Sequence, residues 1–257
     1  IGAICVFRDI TKEKEIEKSK NEFVILASHQ LRTPLSTIRW YAETVMRSIG
    51  NKLSKNNREY IAQIYAAIER MVELVNALLN VSRIDLGTFP IEPKAINLNK
   101  LTEETINNFK EDLKIKKIAL QKNLPSDLPE IEADPRIITI ILQNLLSNAI
   151  KYTPPSGIIK ITLRKEAANI LIEVSDSGYG IPENNKEKIF TKLFRGDNIK
   201  TMEPTGTGLG LYIVKSVVDA YKGKIWFDSI ENKGTTFYVT IPLGGMPKKV
   251  GEKPLIN

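Results

Sequence analysis

The chain has 257 residues, of which 42% are hydrophobic and 26% are charged. This composition predicts a folded protein with one large domain or two ordinary ones, and it excludes disorder as the main description. The net charge of +7 comes from dispersed lysines, which over residues 12–20 alternate with glutamates. That pattern is typical of a solvated helix, so we expect no nucleic-acid partner. The one cysteine, Cys5, excludes an internal disulfide.

No apolar stretch is long enough to cross a bilayer, and no signal-peptide pattern is present. Because the first residue is Ile, we expect a piece of a longer protein. This fragment is predicted to be cytoplasmic without membrane contact, whereas the full-length protein is either cytoplasmic or membrane-associated.

Residues 1–9 are rich in β-branched and aromatic side chains, which predicts a strand. With the Asp-Ile-Thr turn that follows, they resemble the last strand of a PAS sensor domain and its exit signature. We therefore assign residues 1–18 to the end of an upstream sensor domain and a signalling helix. An ordinary strand is the alternative.

Residues 12–49 have helical periodicity, with apolar residues at alternating steps of four and three. Residues 50–52 break the pattern, Ser54 is a predicted N-cap, and a second helix runs to about Ile84. The two amphipathic helices predict an antiparallel hairpin. A hairpin alone cannot bury both apolar faces, so we expect a homodimeric four-helix bundle. The alternative is a hairpin that packs on another part of its own chain.

The first helix carries His29, the only histidine of the chain. A neutral imidazole keeps a lone pair on one ring nitrogen and is a competent nucleophile. His29 lies about 200° round the helix from Leu31, so its side chain is predicted to face solvent. Pro34 removes a backbone donor one turn later and is expected to loosen the helix near His29.

After a predicted linker at residues 87–94, strands and helices alternate, which predicts a second domain of the α/β type. A helix is expected from Asn97 or Asn99 to about Lys116, and another from the Asp134 cap to Tyr152. A last helix begins after Gly208. Strands are predicted at residues 118–123, 158–165, 169–175, 224–229 and 235–241, before a flexible tail at 244–257.

Within this region, Asn144, Asn148 and Tyr152 lie one helical turn apart, and Lys151 lies beside them. Amide oxygens suit Mg²⁺ held together with nucleotide phosphates, and a lysine neutralises phosphate charge. A buried, hydrogen-bonded asparagine pair is the alternative reading of the same spacing.

Two glycine-rich clusters come later in the chain, the first of them directly after a predicted strand. Asp176 begins the first, and a carboxylate at a strand end can accept a hydrogen bond from an exocyclic amine. The second cluster, residues 206–210, precedes a helix and predicts an anion site made of backbone amides. Its spacing matches neither a dinucleotide fingerprint nor a P-loop. In the long segment 183–204, the polar second half that follows residues 196–198 is predicted to form a mobile lid over the ligand, with an ordinary surface loop as the alternative.

The clusters occur in a definite order: a histidine box, an asparagine box, Asp-x-Gly-x-Gly, a phenylalanine box, Gly-x-Gly-x-Gly and Gly-Thr-Thr-Phe. In this order, over about residues 12–243, the chain resembles the bacterial sensor histidine kinases of two-component signalling. The resemblance implies that residues 19–86 are a dimerisation and histidine phosphotransfer domain, a helical hairpin dimerising into a four-helix bundle. It implies that residues 95–243 are a catalytic ATP-binding domain, an α/β sandwich of the Bergerat type. It also implies autophosphorylation with ATP and Mg²⁺ and phosphoryl transfer to an aspartate of a response regulator receiver domain.

The resemblance also implies roles for individual residues. His29 would be the phosphoacceptor, Thr33 would serve dephosphorylation of the regulator, and Asn148 would be the Mg²⁺ ligand. The implied catalytic residues are His29, Gln30, Arg32 and Thr33. The implied nucleotide-binding residues are Asn144, Asn148, Lys151, Tyr152, Asp176, Gly178, Gly180, Ile181, Phe190, Arg195, Gly206, Thr207, Gly208, Leu209, Gly210, Leu211 and Thr235.

Three positions depart from the family pattern: Gln30 replaces an acidic residue, Leu193 replaces a phenylalanine, and Thr205 replaces a glycine. Gln30 cannot accept the proton that a reacting histidine sheds. A phosphatase-dominant or ATP-sensing dimeric scaffold with weak kinase activity is therefore the alternative function. A gyrase-like or chaperone-like ATPase is disfavoured, because those proteins lack the hairpin with its histidine.

Overall fold

The structure is a computed structural model that describes residue 9 and residues 11–196, 206–251 and 254–256. The side chains of residues 13, 14, 17, 18, 29 and 51 lie outside that description. The chain divides into two compact units, Ile1–Gly87 and Thr88–Asn257. The strand and the PAS resemblance predicted for residues 1–9 fall almost wholly outside the described residues and stay predictions. In the described ranges, no helix combines the length and apolarity that a bilayer span requires.

The first unit is an antiparallel hairpin of two long helices, as predicted. Helix α1 spans Thr11–Ile49 and helix α2 spans Lys55–Asp85, with a 3-10 turn at Gly50–Lys52 between them. The Ser54 hydroxyl accepts a hydrogen bond from the Asn57 amide at 3.2 Å, which caps α2. The turn is closed by Arg58, whose Nη2 donates to the Gly50 carbonyl at 2.8 Å.

The face of α1 that packs on α2 is marked by buried residues at intervals of seven. Going down the helix these are Asn21, Ser28, Leu35 and Ala42, so the buried side chains change from polar to apolar after residue 28. Polar contacts flank this seam. The Arg32 guanidinium donates to Asn76 Oδ1 at 2.9 Å, and Arg39 forms an ion pair with Glu69 at 3.2 Å.

A second apolar stripe of the hairpin faces away from this seam. Ile38 is 47% exposed on α1, and Ile64 and Met71 are 50% and 47% exposed on α2. The apolar seam predicted for α1 is therefore split, because Leu35 and Ala42 pack within the hairpin while Leu31 and Ile38 do not. Large apolar side chains at helical spacing on a surface are typical of an interface.

The second unit is a two-layer α/β domain. Its helices are α3 (Leu98–Asn107), α4 (Lys110–Ile115), α5 (Pro135–Tyr152) and α6 (Gly210–Ala220). Its strands are β1 (Lys94–Ile96), β2 (Ala119–Asn123), β3 (Ile131–Ala133), β4 (Ile158–Glu166), β5 (Asn169–Asp176), β6 (Ile225–Ile230) and β7 (Gly234–Pro242). Strands β2-β4-β5-β7-β6 form one sheet in that order, with β2 and β4 parallel and the other pairs antiparallel. Strands β1 and β3 form a separate antiparallel pair.

The core of this unit lies between the sheet and α5. Alternate residues of β4, such as Ile159 and Ile161, are fully buried, as period-two alternation requires. Helix α5 packs on α3, α6 and β5. Its first turn is fixed by Asp134, whose carboxylate accepts the Arg136 amide, and by Pro135 at the first helical position.

The helix predicted up to Lys116 is wrong in its length, because it is interrupted after ten residues. The amides of Asn108 and Phe109 bond the carbonyls three residues earlier, at 3.2 and 3.0 Å, which ends α3 in a tight turn. The N-cap is Asn97, which accepts the Lys100 amide at 2.9 Å. The Asn99 amide instead donates to the Pro125 carbonyl. The pair formed by β1 and β3 was not predicted.

The C-terminal segment is packed, which corrects the flexible tail expected from residue 244. Met246 is buried and its amide donates to the Glu132 carbonyl at 2.7 Å. Ile91 and Lys249 exchange two backbone hydrogen bonds, and the Lys249 ammonium lies 3.9 Å from the centre of the Phe89 ring. Residues 89–91, expected within a linker, thus belong to the folded second unit.

Candidate nucleotide-binding site

The second unit has a pocket formed by α5, the adjoining ends of β5 and β7, and the segments that precede α6. Predicted residues that line it are Asn144, Asn148, Lys151, Tyr152, Asp176, Gly180, Ile181, Arg195, Gly206, Thr207, Gly208, Gly210, Leu211 and Thr235. Three predicted residues, Gly178, Phe190 and Leu209, lie outside the lining. Residues 197–205, with Thr205 and much of the predicted lid, lie outside the described residues, so the lid stays a prediction.

One wall of the pocket is the polar face of α5. The amide nitrogen of Asn144 donates to the Ile140 carbonyl at 2.8 Å, which fixes the direction of its Oδ1 atom. A Cβ atom built on Gly210 would lie 2.4 Å from that oxygen. Glycine at residue 210 therefore allows the beginning of α6 to lie against the asparagine face.

The C-terminal end of this wall is held by Lys116, a residue that the sequence patterns did not single out. Its ammonium group donates to the carbonyls of Ile150 and Lys151 at 2.8 and 2.9 Å. Free carbonyls at a helix C-terminus favour a cation in this way. Lys116 thereby fixes the last turn of α5, which carries Lys151 and Tyr152 into the pocket.

The buried end of the pocket is occupied by Asp176. Its Oδ1 atom accepts the amides of Gly178 at 2.9 Å and Thr235 at 3.3 Å. Burial raises the pKa of Asp176 to about 6, although these two backbone donors act in the opposite direction. Gly178 supports the carboxylate from behind, which explains its place outside the lining.

The glycine-rich segment before α6 turns its backbone toward the pocket. Gly208 has φ +69°, and a Cβ atom there would meet the Leu193 backbone at 2.8 Å, so the position requires glycine. The hydroxyl of Thr207 accepts the Leu209 amide at 3.3 Å. Leu209 is buried beneath the helix start, and the amides at this N-terminus are suited to phosphate oxygens.

Phe190, the first residue of the phenylalanine box, packs on the sheet and does not line the pocket. Phe190 meets Phe227 edge to face at 5.9 Å between ring centres, and Phe227 in turn contacts Phe237 at 5.7 Å. Such pairs stabilise aromatic clusters beyond their burial alone. The neighbouring residues Ile189 and Phe194 line the pocket in place of Phe190.

The predicted phosphoacceptor residues belong to the other unit. His29 lies within α1, and the predicted exposure of its side chain falls outside the described residues. The side chains of Gln30 and Thr33 are exposed, whereas Arg32 is bound to Asn76 across the hairpin. In an α-helix the carbonyl of Gln30 would bond the amide of residue 34, which Pro34 lacks.

Sequence reasoning missed several lining residues: Ser147, Pro182, Asn185, Ile189, Phe194, Gly196 and Phe237. Helical spacing could have found Ser147, because it lies between the turns of Asn144 and Lys151 on the same face. Asn185 gives no such signal, because it lies in an irregular segment whose path depends on the rest of the domain.

The donor set fits Mg²⁺ only together with a nucleotide. Among the residues that the structure describes, no group of three His, Cys, Asp or Glu could hold a metal ion. Mg²⁺ commonly uses one or two protein oxygens with phosphates and waters. The amide of Asn148 in the pocket wall is suited to that arrangement.

The chain matches two family profiles in tandem. Residues 19–87 match the His Kinase A (phospho-acceptor) domain, and residues 133–245 match the histidine kinase-, DNA gyrase B- and HSP90-like ATPase. The chain belongs to the sensor histidine kinase family. The ATPase profile is shared with gyrase and HSP90, so the tandem with a phospho-acceptor domain decides between those groups and the histidine kinases.

Similar proteins carry the same family name. Sensor histidine kinase WalK of Bacillus subtilis is 37% identical over 243 residues, which is 94% of this histidine kinase chain and 39% of WalK. The chain thus spans about two fifths of that relative. The solved catalytic domain of histidine kinase ThkA is 37% identical, with a TM-score of 0.53 over 59% of this chain and 96% of that one. ThkA in complex with response regulator protein TrrA is 26% identical, with a TM-score of 0.60 over 93% and 68% of the two chains.

Proposed function

We propose that this chain is the kinase core of a sensor histidine kinase, which transfers the γ-phosphoryl group of ATP to His29. The observation that carries the proposal is the pocket in which Asn148, Lys151 and Asp176 meet the glycine-rich start of α6. This pocket offers one nucleotide a carboxylate that can accept a hydrogen bond from its amine, a lysine that can neutralise phosphate charge, and a set of backbone amides that can bind phosphate oxygens.

Each residue of the pocket has a separate task in this proposal. The carboxylate of Asp176 accepts a hydrogen bond from the adenine amine, and Tyr152 flanks the base. Lys151 and the amides at the start of α6 hold phosphate oxygens, and Asn144 orients that helix start. Asn148 would hold Mg²⁺, which neutralises phosphate charge when bound.

In the transfer step, a nitrogen of the His29 ring forms a bond with the γ-phosphorus. The bond from that phosphorus to the β-γ bridging oxygen breaks, ADP leaves, and the ring loses its N–H proton to solvent water. Positioning and charge neutralisation account for most of the catalysis in reactions of this kind. Gln30 can orient the imidazole by a hydrogen bond but cannot take up the proton.

The exposed apolar stripe of the hairpin supports a homodimer as the working form. Ile38 on α1 and Met71 on α2 would be buried if a second hairpin packed on this face. The proposed recipient of the phosphoryl group is an aspartate of a response regulator receiver domain. The ThkA–TrrA complex, a similar kinase with its regulator, supports this partner. The cytoplasmic location stays a prediction.

The direct test is incubation of the chain with Mg²⁺ and ATP labelled at the γ-phosphorus. We expect acid-labile label on the wild-type chain and none on His29→Ala, with equal ATP binding by both proteins. Label retained by His29→Ala would overturn the proposal.

Gln30 favours one second candidate, a phosphatase-dominant scaffold with weak kinase activity, in which Thr33 orients the attacking water. This candidate predicts ATP binding and dephosphorylation of a phosphorylated regulator, with little label on the chain. Steady ATP hydrolysis without any labelling would instead favour a gyrase-like or chaperone-like ATPase.

A further inference from the structure

A buried hydroxyl lies on β6, the edge strand of the sheet that pairs with β7. Ser229 on β6 is paired in register with Thr235 on β7, and Thr235 is paired with Asp176 on β5. Ser229 and Thr235 are 9% and 6% exposed. The three residues therefore form a row across the sheet that ends at the carboxylate.

Ser229 uses all the hydrogen-bonding capacity of its hydroxyl. The oxygen accepts the Ile181 amide at 2.8 Å and donates its proton to the Gly234 carbonyl at 3.1 Å. The Thr235 hydroxyl lies 2.9 Å away, and it is the donor in that pair if Ser229 donates to Gly234. A hydroxyl has one proton and two lone pairs, so these three partners saturate it.

The partners of Ser229 belong to two different walls of the pocket. Ile181 and Thr235 both line it, and they come from segments that are far apart in sequence. The Thr235 amide also donates to Asp176, at 3.3 Å. That bond is near the upper limit of a hydrogen bond, so it depends on how Thr235 is held.

We propose that Ser229 is a positioning residue for purine recognition, which holds Thr235 and Ile181 so that the Asp176 carboxylate faces the base. This inference rests on the proposed binding of ATP. Without the hydroxyl, the Ile181 amide would have no protein acceptor at this point, and the turn before Thr235 would lose its restraint. A buried donor left without a partner drives local rearrangement.

The chain offers a matched control on the other face of the same sheet. The hydroxyls of Ser175 on β5 and Thr236 on β7 lie 2.8 Å apart. These two residues form the pair next to Asp176 and Thr235 along the same two strands. Neither Ser175 nor Thr236 lines the pocket. Ser175→Ala thus removes a similar Ser–Thr bond without touching the row that ends at the carboxylate.

The test compares dissociation constants for ATP and for inosine triphosphate, which lacks the amine, by titration of the whole chain. We expect Ser229→Ala to reduce the preference for ATP over inosine triphosphate about tenfold. Ser175→Ala should keep the wild-type preference. The double variant Ser229→Ala/Asp176→Asn should show no smaller preference than Asp176→Asn alone, since Ser229 acts through that carboxylate.

A second pair of variants covers the case in which Ser229→Ala does not fold. Ser229→Thr keeps the hydroxyl, whereas Ser229→Cys replaces it with a weakly hydrogen-bonding thiol of similar size, so only the second should lower the preference. An unchanged preference in folded Ser229→Ala, or an equal loss in Ser175→Ala, would overturn the inference. If the wild-type chain binds no ATP, the proposed function itself fails, which is a distinguishable result.

Discussion

The second unit packs an apolar core between its sheet and α5 within one chain, whereas the hairpin leaves an apolar stripe along both helices exposed to solvent. Ile159 and Val239 in the sheet are fully buried, but Ile38 and Met71 on the helices are about half exposed. The difference indicates that the second unit forms its core within one chain, whereas the hairpin needs a second copy to cover its stripe. Ligand binding and dimerisation should therefore be separable by mutation.

The largest expected effect is weaker dimerisation when the exposed stripe of the hairpin is mutated. Ile38→Glu combined with Met71→Glu places charges on the exposed stripe, where a second hairpin would bury them. We expect the dimer dissociation constant to rise by about a hundredfold or more. ATP affinity should change by less than about twofold, since the pocket lies in the other unit.

Sedimentation and ATP titration measure the two effects. Trp40→Gln is the control, because Trp40 is exposed and lies about 200° round α1 from Ile38. A stable dimer of the double variant, or dissociation by Trp40→Gln alone, would contradict the assignment of the stripe.

The next effect is a pH dependence confined to the pocket. The pKa of Asp176 is raised to about 6 by burial, so protonation removes the charged acceptor as the pH falls through 6. ATP affinity should be about tenfold weaker at pH 5 than at pH 7.5. The free energy of unfolding of the protein without ATP should instead fall as the pH rises. A carboxyl pKa that is higher in the folded state stabilises that state at low pH, and this contribution is lost as the pH rises from the ordinary value of 3.8 to about 6.

Titrations of ATP at several pH values test this prediction against Asp176→Asn, which has no charge to lose. A pH profile shared by both proteins would assign the effect to another group.

A several-fold effect is expected at Gln30. A carboxylate beside His29 can accept the proton that the ring loses, so Gln30→Glu should raise the initial rate of autophosphorylation by roughly three- to tenfold. ATP affinity should stay constant. Gln63→Glu adds the same charge at an exposed position of α2 and serves as the control. An unchanged or lower initial rate for Gln30→Glu would count against a role of this position in proton transfer.

The smallest effect concerns Lys116. Lys116→Met keeps the stem of the side chain but removes the donor to the last turn of α5, so ATP affinity should fall by about three- to fivefold. Lys116→Arg should restore part of it. Lys122→Met removes an exposed ion pair with Glu103 and should leave affinity unchanged. Equal affinities of Lys116→Met and the wild type would show that α5 holds its end without this cap.

Local signals in the sequence predicted the hairpin and the beginning of α5. Ser54 and Asp134 are caps whose partners lie within three residues, and helical periodicity is a local property. The pair β1 and β3 escaped prediction, because each strand has three residues and its partner is distant in sequence. The packed tail escaped for the same reason, since Lys249 is held by Ile91.

The candidate site shows the same division. The face of α5 and the glycines of the last cluster follow from spacing, whereas Lys116 and Ser229 act through partners that only the fold brings near. No pattern around Lys116 distinguishes it from the other lysines of this basic chain. Ile189 lines the pocket where Phe190 was predicted, because the Phe190 ring packs against Phe227 of the sheet.

The change from Asn21 and Ser28 to Leu35 and Ala42 along the buried face of α1 gives the hairpin unequal cohesion. Water can replace the contacts of small polar side chains at little cost, but separating the helices at Leu35 and Ala42 would expose aliphatic surface to water. A rotation or displacement of the N-terminal end of α1 would therefore separate the two helices more readily before residue 29 than after it. The part of the hairpin that contains Leu35 and Ala42 would keep its packing while the N-terminal part moves.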